Sequence, residues 1–128
     1  MKPVILCVDD EEIILMSISE ELKYHFDDKF EIETAMSAKE ALILIEELKK
    51  EGTELPLVIT DFLMPDIRGD ELISKIRDNY PEIKSVMITG YIDKETKENI
   101  SKKEGVIAIF TKPWDFKDLF KLIQTNFN

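Results

Sequence analysis

The chain has 128 residues, 44% of them hydrophobic, and carries 17 basic and 27 acidic residues for a net charge of −10. That length and apolar content suit one globular domain with a real core, and they exclude disorder and dependence on disulfide staples. The acidic excess argues against a nucleic-acid backbone or an anionic membrane as a direct partner, because either needs clustered Lys and Arg.

Pro3–Val8 is the first predicted strand. Val4-Ile5-Leu6-Cys7-Val8 is apolar on both faces, the mark of a sheet covered by helices on each side. This run stops at Asp9 and is no signal peptide, and no apolar stretch approaches a membrane span. The cytoplasm is therefore the expected compartment. Cys7, the only cysteine, reads as a small buried hydrophobe. Ile14, Ile18, Leu22 and Phe26 recur every four residues and predict a first helix. His25 falls on its polar side, where nothing nearby in sequence completes a ligand set.

Phe30–Ala35 is the second predicted strand. Ser37 with Glu40 forms a capping box that opens a helix bearing Ala38, Ala41, Leu42, Ile45 and Leu48. After a short loop from Glu51 to Pro56, Leu57–Asp61 is the third strand and Pro65–Gly69 a turn-rich loop. Leu72, Ile73 and Ile76 mark a third helix that stops before Pro81, followed by a fourth strand, Lys84–Thr89. Met16, Met36, Met64 and Met87 read as packing residues.

The next helix, Lys94 to Lys103, has Ile100 as its only strongly apolar residue. Lys94–Glu98 and Glu98–Lys102 pairs are expected on it, each worth a few tenths of a kcal/mol. Such a helix should be the least anchored, which suits a switch. Val106–Thr111 is the fifth strand, and Phe116, Leu119, Phe120, Ile123 and Phe127 mark a last helix with Asp115 as its N-cap. The order (βα)5 with right-handed crossovers predicts a doubly wound α/β three-layer sandwich, one domain over residues 1–128.

Four of the strands end in reactive polar residues: Asp9-Asp10, Asp61, Thr89 and Lys112-Pro113. In a parallel sheet those ends share one edge, where open α/β sheets bind their ligands. Adjacent acids at a helix start can simply cap it, but Asp61 brings a third carboxylate. Two carboxylates about 4 Å apart repel by roughly 4 kcal/mol at an effective dielectric of about 20, so they protonate or hold a cation. Oxygen ligands without His or Cys suit Mg²⁺, with Mn²⁺ as a second choice. Lys112 adds a positive charge, leaving a site able to accept a phosphoryl group on the Asp61 carboxylate. Thr89 can then donate a hydrogen bond to a phosphoryl oxygen.

Asp9-Asp10, Asp61-Phe62-Leu63-Met64-Pro65-Asp66-Ile67-Arg68-Gly69, Ile88-Thr89-Gly90-Tyr91 and Thr111-Lys112-Pro113-Trp114 resemble the receiver (response-regulator, CheY-like) domain of two-component signalling, in order and over essentially the full chain. The resemblance implies a sheet of order 2-1-3-4-5. It implies Asp61 as phosphoacceptor, Asp9 and Asp10 as the acidic pair for Mg²⁺, and the backbone carbonyl of Leu63 as a further metal ligand. Thr89 matches the switch hydroxyl, Lys112 the phosphate-binding lysine, and Gly90 a position kept small beside the phosphoryl group. A cis Lys112–Pro113 bond is implied as well.

Two departures stand out. Receivers usually carry Phe or Tyr three residues before the lysine, where this chain has Ile109, with Phe110 next. Leu63 and Tyr91 sit where the family tunes phosphoryl lifetime, and so bulky a pair implies slow self-dephosphorylation. The resemblance further implies a sensor histidine kinase or phosphotransfer protein as donor. A downstream protein would bind through the face made by the fourth helix, fifth strand and fifth helix, and a homodimer would form on phosphorylation. Chemistry would be confined to the chain's own phosphorylation and dephosphorylation. Trp114 is expected either over the crevice or facing a partner. Met1 and a final helix that ends with the chain favour a stand-alone receiver over one cut from a longer regulator. The rival reading is a Mg²⁺-dependent aspartyl-nucleophile phosphatase or phosphotransferase acting on small molecules. It usually needs a second Asp two residues after the nucleophile, where this chain has Leu63, and a cap domain.

Overall fold

A computed structural model describes residues 2–127. The elements alternate strictly: β1 (Val4–Val8), α1 (Glu12–Phe26), β2 (Glu31–Ala35), α2 (Ala38–Lys50), β3 (Leu57–Asp61), α3 (Gly69–Asn79), β4 (Lys84–Thr89), α4 (Lys94–Ser101), β5 (Val106–Thr111) and α5 (Phe116–Asn126). All strand pairs are parallel and the sheet order is β2-β1-β3-β4-β5. This is the doubly wound fold expected from the sequence.

Strand alternation divides the core between the two faces. Ile5, Cys7, Ile59 and Ile88 point to one side, where Ile18 and Leu22 of α1 and Leu119 and Ile123 of α5 cover them. Leu6, Val8 and Val58 point to the other, under Ala41 and Ile45 of α2 and Leu72 and Ile76 of α3. A smaller cluster of Phe62, Ile73, Met87 and Ile100 seats α4. Every residue of β1 and β3 is buried, whereas Val106–Phe110 of β5 are only half-buried. The Cys7 thiol is pushed up to about 12 by burial and stays an inert apolar group.

Local sequence explains where three of the helices start. The Ser37 hydroxyl accepts from Glu40 N–H at 3.1 Å, and the Glu40 carboxylate accepts from Met36 N–H at 3.3 Å. Asp93 and Asp115 cap α4 and α5 through Thr96 N–H and Lys117 N–H, both at 2.8 Å.

Several expectations shift. β2 starts at Glu31 because Phe30 N–H closes the end of α1 on the Phe26 carbonyl at 3.0 Å. Helix α4 stops at Ser101, tightened by a Lys103 N–H to Ile100 carbonyl bond of 3.0 Å before Gly105 turns with φ 87°. Neither expected ion pair on α4 forms, since solvated Lys and Glu gain too little to be held together. Met64 and Met87 are buried packing residues, but Met16 and Met36 are exposed because they lie on the outer face of α1 and in the β2–α2 connection.

Candidate functional site

Strand topology alone brings the polar residues together. β1 and β3 are neighbours at the centre of the sheet, and Asp9 and Asp61 stand at their C-terminal ends. Asp9 is anchored by its own N–H on the Ala35 carbonyl at 3.2 Å, and its Oδ1 accepts from Glu11 N–H at 2.9 Å. Asp61 Oδ1 accepts from Phe62 N–H at 2.8 Å, and the Thr60 hydroxyl donates to the Asp61 carbonyl at 2.9 Å. Both carboxylates are thus buried and aimed, at 2% and 5% exposure.

Lys112 reaches across from the end of β5. Its Nζ lies 3.4 Å from Asp9 Oδ2, 3.5 Å from Asp61 Oδ2 and 3.6 Å from Glu11 Oε1. Carboxylate oxygens of Asp9, Glu11 and Asp61 all lie within 4.8 Å of one another. One ammonium facing three acids leaves the site under-neutralised. Burial, and then the Asp9 charge, raise the Asp61 carboxyl to about 6 against the opposing pull of Lys112. Burial raises Asp9 too, although Glu11 N–H and Lys112 resist it. For Lys112, burial works to lower the ammonium, but the charges of Asp61, Asp9 and Glu11 together win and raise it.

This arrangement fits a hard dication by its donor chemistry: three oxygen ligands, no nitrogen or sulfur, and a carboxyl whose raised pKa a second positive charge would relieve. The acid that completes the three-oxygen cluster is Glu11, which sequence reasoning passed over. Its signal was there, as the third acid of Asp9-Asp10-Glu11 at a strand-to-helix turn. Asp10 stands outside the cluster and acts on Asp61 through its field.

Thr89 is fully buried at the end of β4, one residue beyond the Asp61–Ile88 register pair. Its hydroxyl donates to the Tyr91 carbonyl at 3.0 Å, which ties it to the β4–α4 loop. The Thr89 carbonyl accepts from Lys112 N–H at 2.7 Å and so locks the ends of β4 and β5 together. Lys112–Pro113 is cis. Leu63 and Tyr91 are both exposed, at 58% and 74%. Gly90 is exposed and a Cβ there would meet nothing within 4 Å, so packing within the chain does not require glycine.

The two aromatic ambiguities resolve into packing. Phe110 packs with the α1 and α5 side of the core, while Ile109 packs with Ile100 and Met87 on the opposite face. Trp114 lies against the α1–α5 core in edge contact with Phe116, its Nε1 buried without a partner. His25 stacks on Phe120 at 3.9 Å and has no part in the crevice.

The loop after Asp61 holds two further residues that the sequence reading left unassigned. A Cβ at Gly69 would come within 2.1 Å of the Asp61 carbonyl oxygen, so the start of α3 abuts the backbone of Asp61. Asp66 accepts from Lys39 N–H at 2.9 Å and Ala38 N–H at 3.4 Å, which pins the loop to the N-terminus of α2 and lowers its carboxyl below the usual range.

Comparison with known proteins agrees with this geometry. The family model described as response regulator receiver domain matches residues 5–124. The chain is 34% identical over 121 residues to the response regulator protein VraR of Staphylococcus aureus, covering 94% of the chain and 54% of that protein. It is 29% identical to the sensor kinase CckA of Brucella abortus over 94% of its own length and 12% of that protein's. Among solved structures, a CheY-like response regulator receiver domain protein from Methanospirillum hungatei superposes with TM-score 0.81 at 32% identity, covering 98% of this chain and 93% of that one. The beryllofluoride-activated NtrC4 receiver domain dimer superposes at 0.82 and 30%, covering 95% and 93%. The chain therefore spans about a tenth to a half of the curated relatives named here.

Proposed function

The chain belongs to the response regulator receiver domain family, and from that premise we propose that Asp61 is the residue that accepts the phosphoryl group. The observation that carries the assignment is the position of Asp61, buried between Asp9, Glu11 and Lys112 at the end of a central strand. The small-molecule phosphatase reading is not favoured, because position 63 carries an exposed Leu where a general acid would be needed.

Asp9, Glu11 and Asp61 would hold Mg²⁺, with Asp10 contributing to the negative field and the Leu63 carbonyl available from the loop. Bound there, the dication would neutralise charge on the transferring phosphoryl group. One Asp61 carboxylate oxygen attacks phosphorus in line. The new bond is an acyl phosphate, and the bond from phosphorus to the donor breaks with its electron pair leaving on the donor. Lys112 holds the incoming phosphoryl oxygens by charge. Thr89 turns its hydroxyl from the Tyr91 carbonyl toward the new phosphoryl oxygens, which releases the β4–α4 loop.

The donor is a sensor histidine kinase or a phosphotransfer protein. The output surface is the α4–β5–α5 face, which binds a downstream protein or a second phosphorylated copy. Among the described residues no helix is long and apolar enough to cross a membrane. The test is intact mass after incubation with Mg²⁺ and acetyl phosphate. One added phosphoryl group, absent in Asp61→Asn and in EDTA, is the expected result. Phosphorylation that persists in Asp61→Asn would move the acceptor elsewhere.

A further inference from the structure

The two edges of the sheet are unlike. At one edge, β2 presents Glu31 and Thr34 to solvent with Glu33 half-exposed, a charged finish that discourages pairing with another strand. At the other edge β5 reads Val-Ile-Ala-Ile-Phe, every residue half-buried and none charged. An apolar edge strand left bare is a template for strand addition.

A groove of about 340 Å³ runs along this edge, lined by Val106, Ile107, Ala108 and Ile109 together with Lys94, Lys97, Glu98 and Ser101 of α4. Successive side chains of a strand point to opposite faces. Four consecutive β5 residues can line one groove only if it opens on the strand's edge, where the backbone is reachable. Lys112 N–H bonds to β4, and alternation from there turns the N–H and C=O of Ile109 and Thr111 away from β4. The sheet offers them no strand on that side, because β5 is its edge.

Charge says what would fit. Residues 94–128 hold seven lysines and five acidic residues, while the preceding residues hold 10 basic and 22 acidic. With Lys112 turned into the crevice, the α4–β5–α5 side is still the least acidic part of an acidic molecule. Lys94 and Lys97 beside the groove take part in no ion pair. A second copy paired through the same edge would bring these lysines toward their own equivalents.

We infer that the outer edge of β5 receives an extended acidic segment of a partner protein as a sixth strand. The segment places an apolar side chain in the α4–β5 groove and carboxylates against Lys94 and Lys97. The inference deepens the output role given above and rests on that reading for its place in signalling.

The test uses a capped, dye-labelled peptide of alternating glutamate and valine, with alternating lysine and valine as control. Binding is read by fluorescence anisotropy and by amide hydrogen exchange. The glutamate peptide should bind and slow exchange at Ile109 and Thr111 about tenfold, and Lys94→Glu with Lys97→Glu should weaken it about tenfold. Equal binding of the lysine peptide, or binding without protection at Ile109 and Thr111, would overturn the inference. So would a dimer that protects the same amides before peptide is added, since the occupant would then be a second copy. Intact-mass phosphorylation on the same samples separates the two readings. Edge protection without phosphoryl uptake sinks the phosphoacceptor reading alone, and uptake without edge protection sinks the strand-addition inference alone.

Discussion

The centre of the sheet and its β5 margin are built to opposite specifications. β1 and β3 are buried along their whole length, and their ends hold Asp9 and Asp61 by backbone hydrogen bonds. β5 is half-exposed throughout, and α4 beside it has one buried residue, Ile100. Carboxylates poised for phosphoryl transfer need positions fixed to a fraction of an ångström, which only a packed scaffold supplies. An element meant to move must have little to lose by moving. The two regions meet at Thr89, at the end of β4, which bonds to the β5 margin and the β4–α4 loop through Lys112 and Tyr91.

Substitutions can break this contrast. Ile59→Ala, in the fully packed centre, should cost about 4 kcal/mol of global stability, read by urea denaturation. Lys112→Ala should slow phosphorylation by acetyl phosphate about a hundredfold, equivalent to about 3 kcal/mol in the barrier, with little change in fold. A loss of only twofold would mean the lysine does not hold the phosphoryl group.

The raised Asp61 carboxyl makes the site a source of instability when no dication is bound. Its folded value of about 6 lies above the ordinary 3.8, so the folded chain binds the proton more tightly than the unfolded one. Stability should therefore rise as pH falls through 6 toward 4 and be lowest, on this account, above 6. In EDTA near pH 7.5, Asp61→Asn should be more stable than the parent by about 2 to 3 kcal/mol. A neutral or destabilising effect in thermal melts would contradict the electrostatic picture.

Smaller effects sharpen the comparison at the margin. Ile100→Ala should cost about 2 kcal/mol, seen in hydrogen exchange as faster opening of α4 with β1 and β3 left protected. Leu63→Asn should shorten the phosphoryl lifetime severalfold, about 1 kcal/mol, by admitting water beside Asp61. A half-life of seconds in the parent protein would already show that Leu63 and Tyr91 do not hinder hydrolysis.

The sequence made the architecture legible because β1 and β5 carry unbroken apolar runs, β3 and β4 shorter ones, and every helix but α4 carries an apolar stripe. The crevice was legible for a related reason: parallel strands put their ends on one edge, so Asp9, Asp61, Thr89 and Lys112 converge whatever the details. What escaped depends on local geometry. Glu11 sits near Asp61 only because Asp9 Oδ1 takes the Glu11 N–H and turns the chain there. The closeness of Gly69 to the Asp61 carbonyl and the reach of Asp66 to α2 are contacts between segments far apart in sequence. The missing α4 ion pairs reflect solvation, which residue spacing does not encode.

The most direct test of the division between a fixed centre and a yielding margin is amide hydrogen exchange before and after phosphorylation of Asp61. Exchange should change in the β4–α4 loop, α4 and the outer amides of β5, while β1, β3 and α2 keep their protection. Equal change across the whole sheet, or change confined to α1 and α2, would contradict the account.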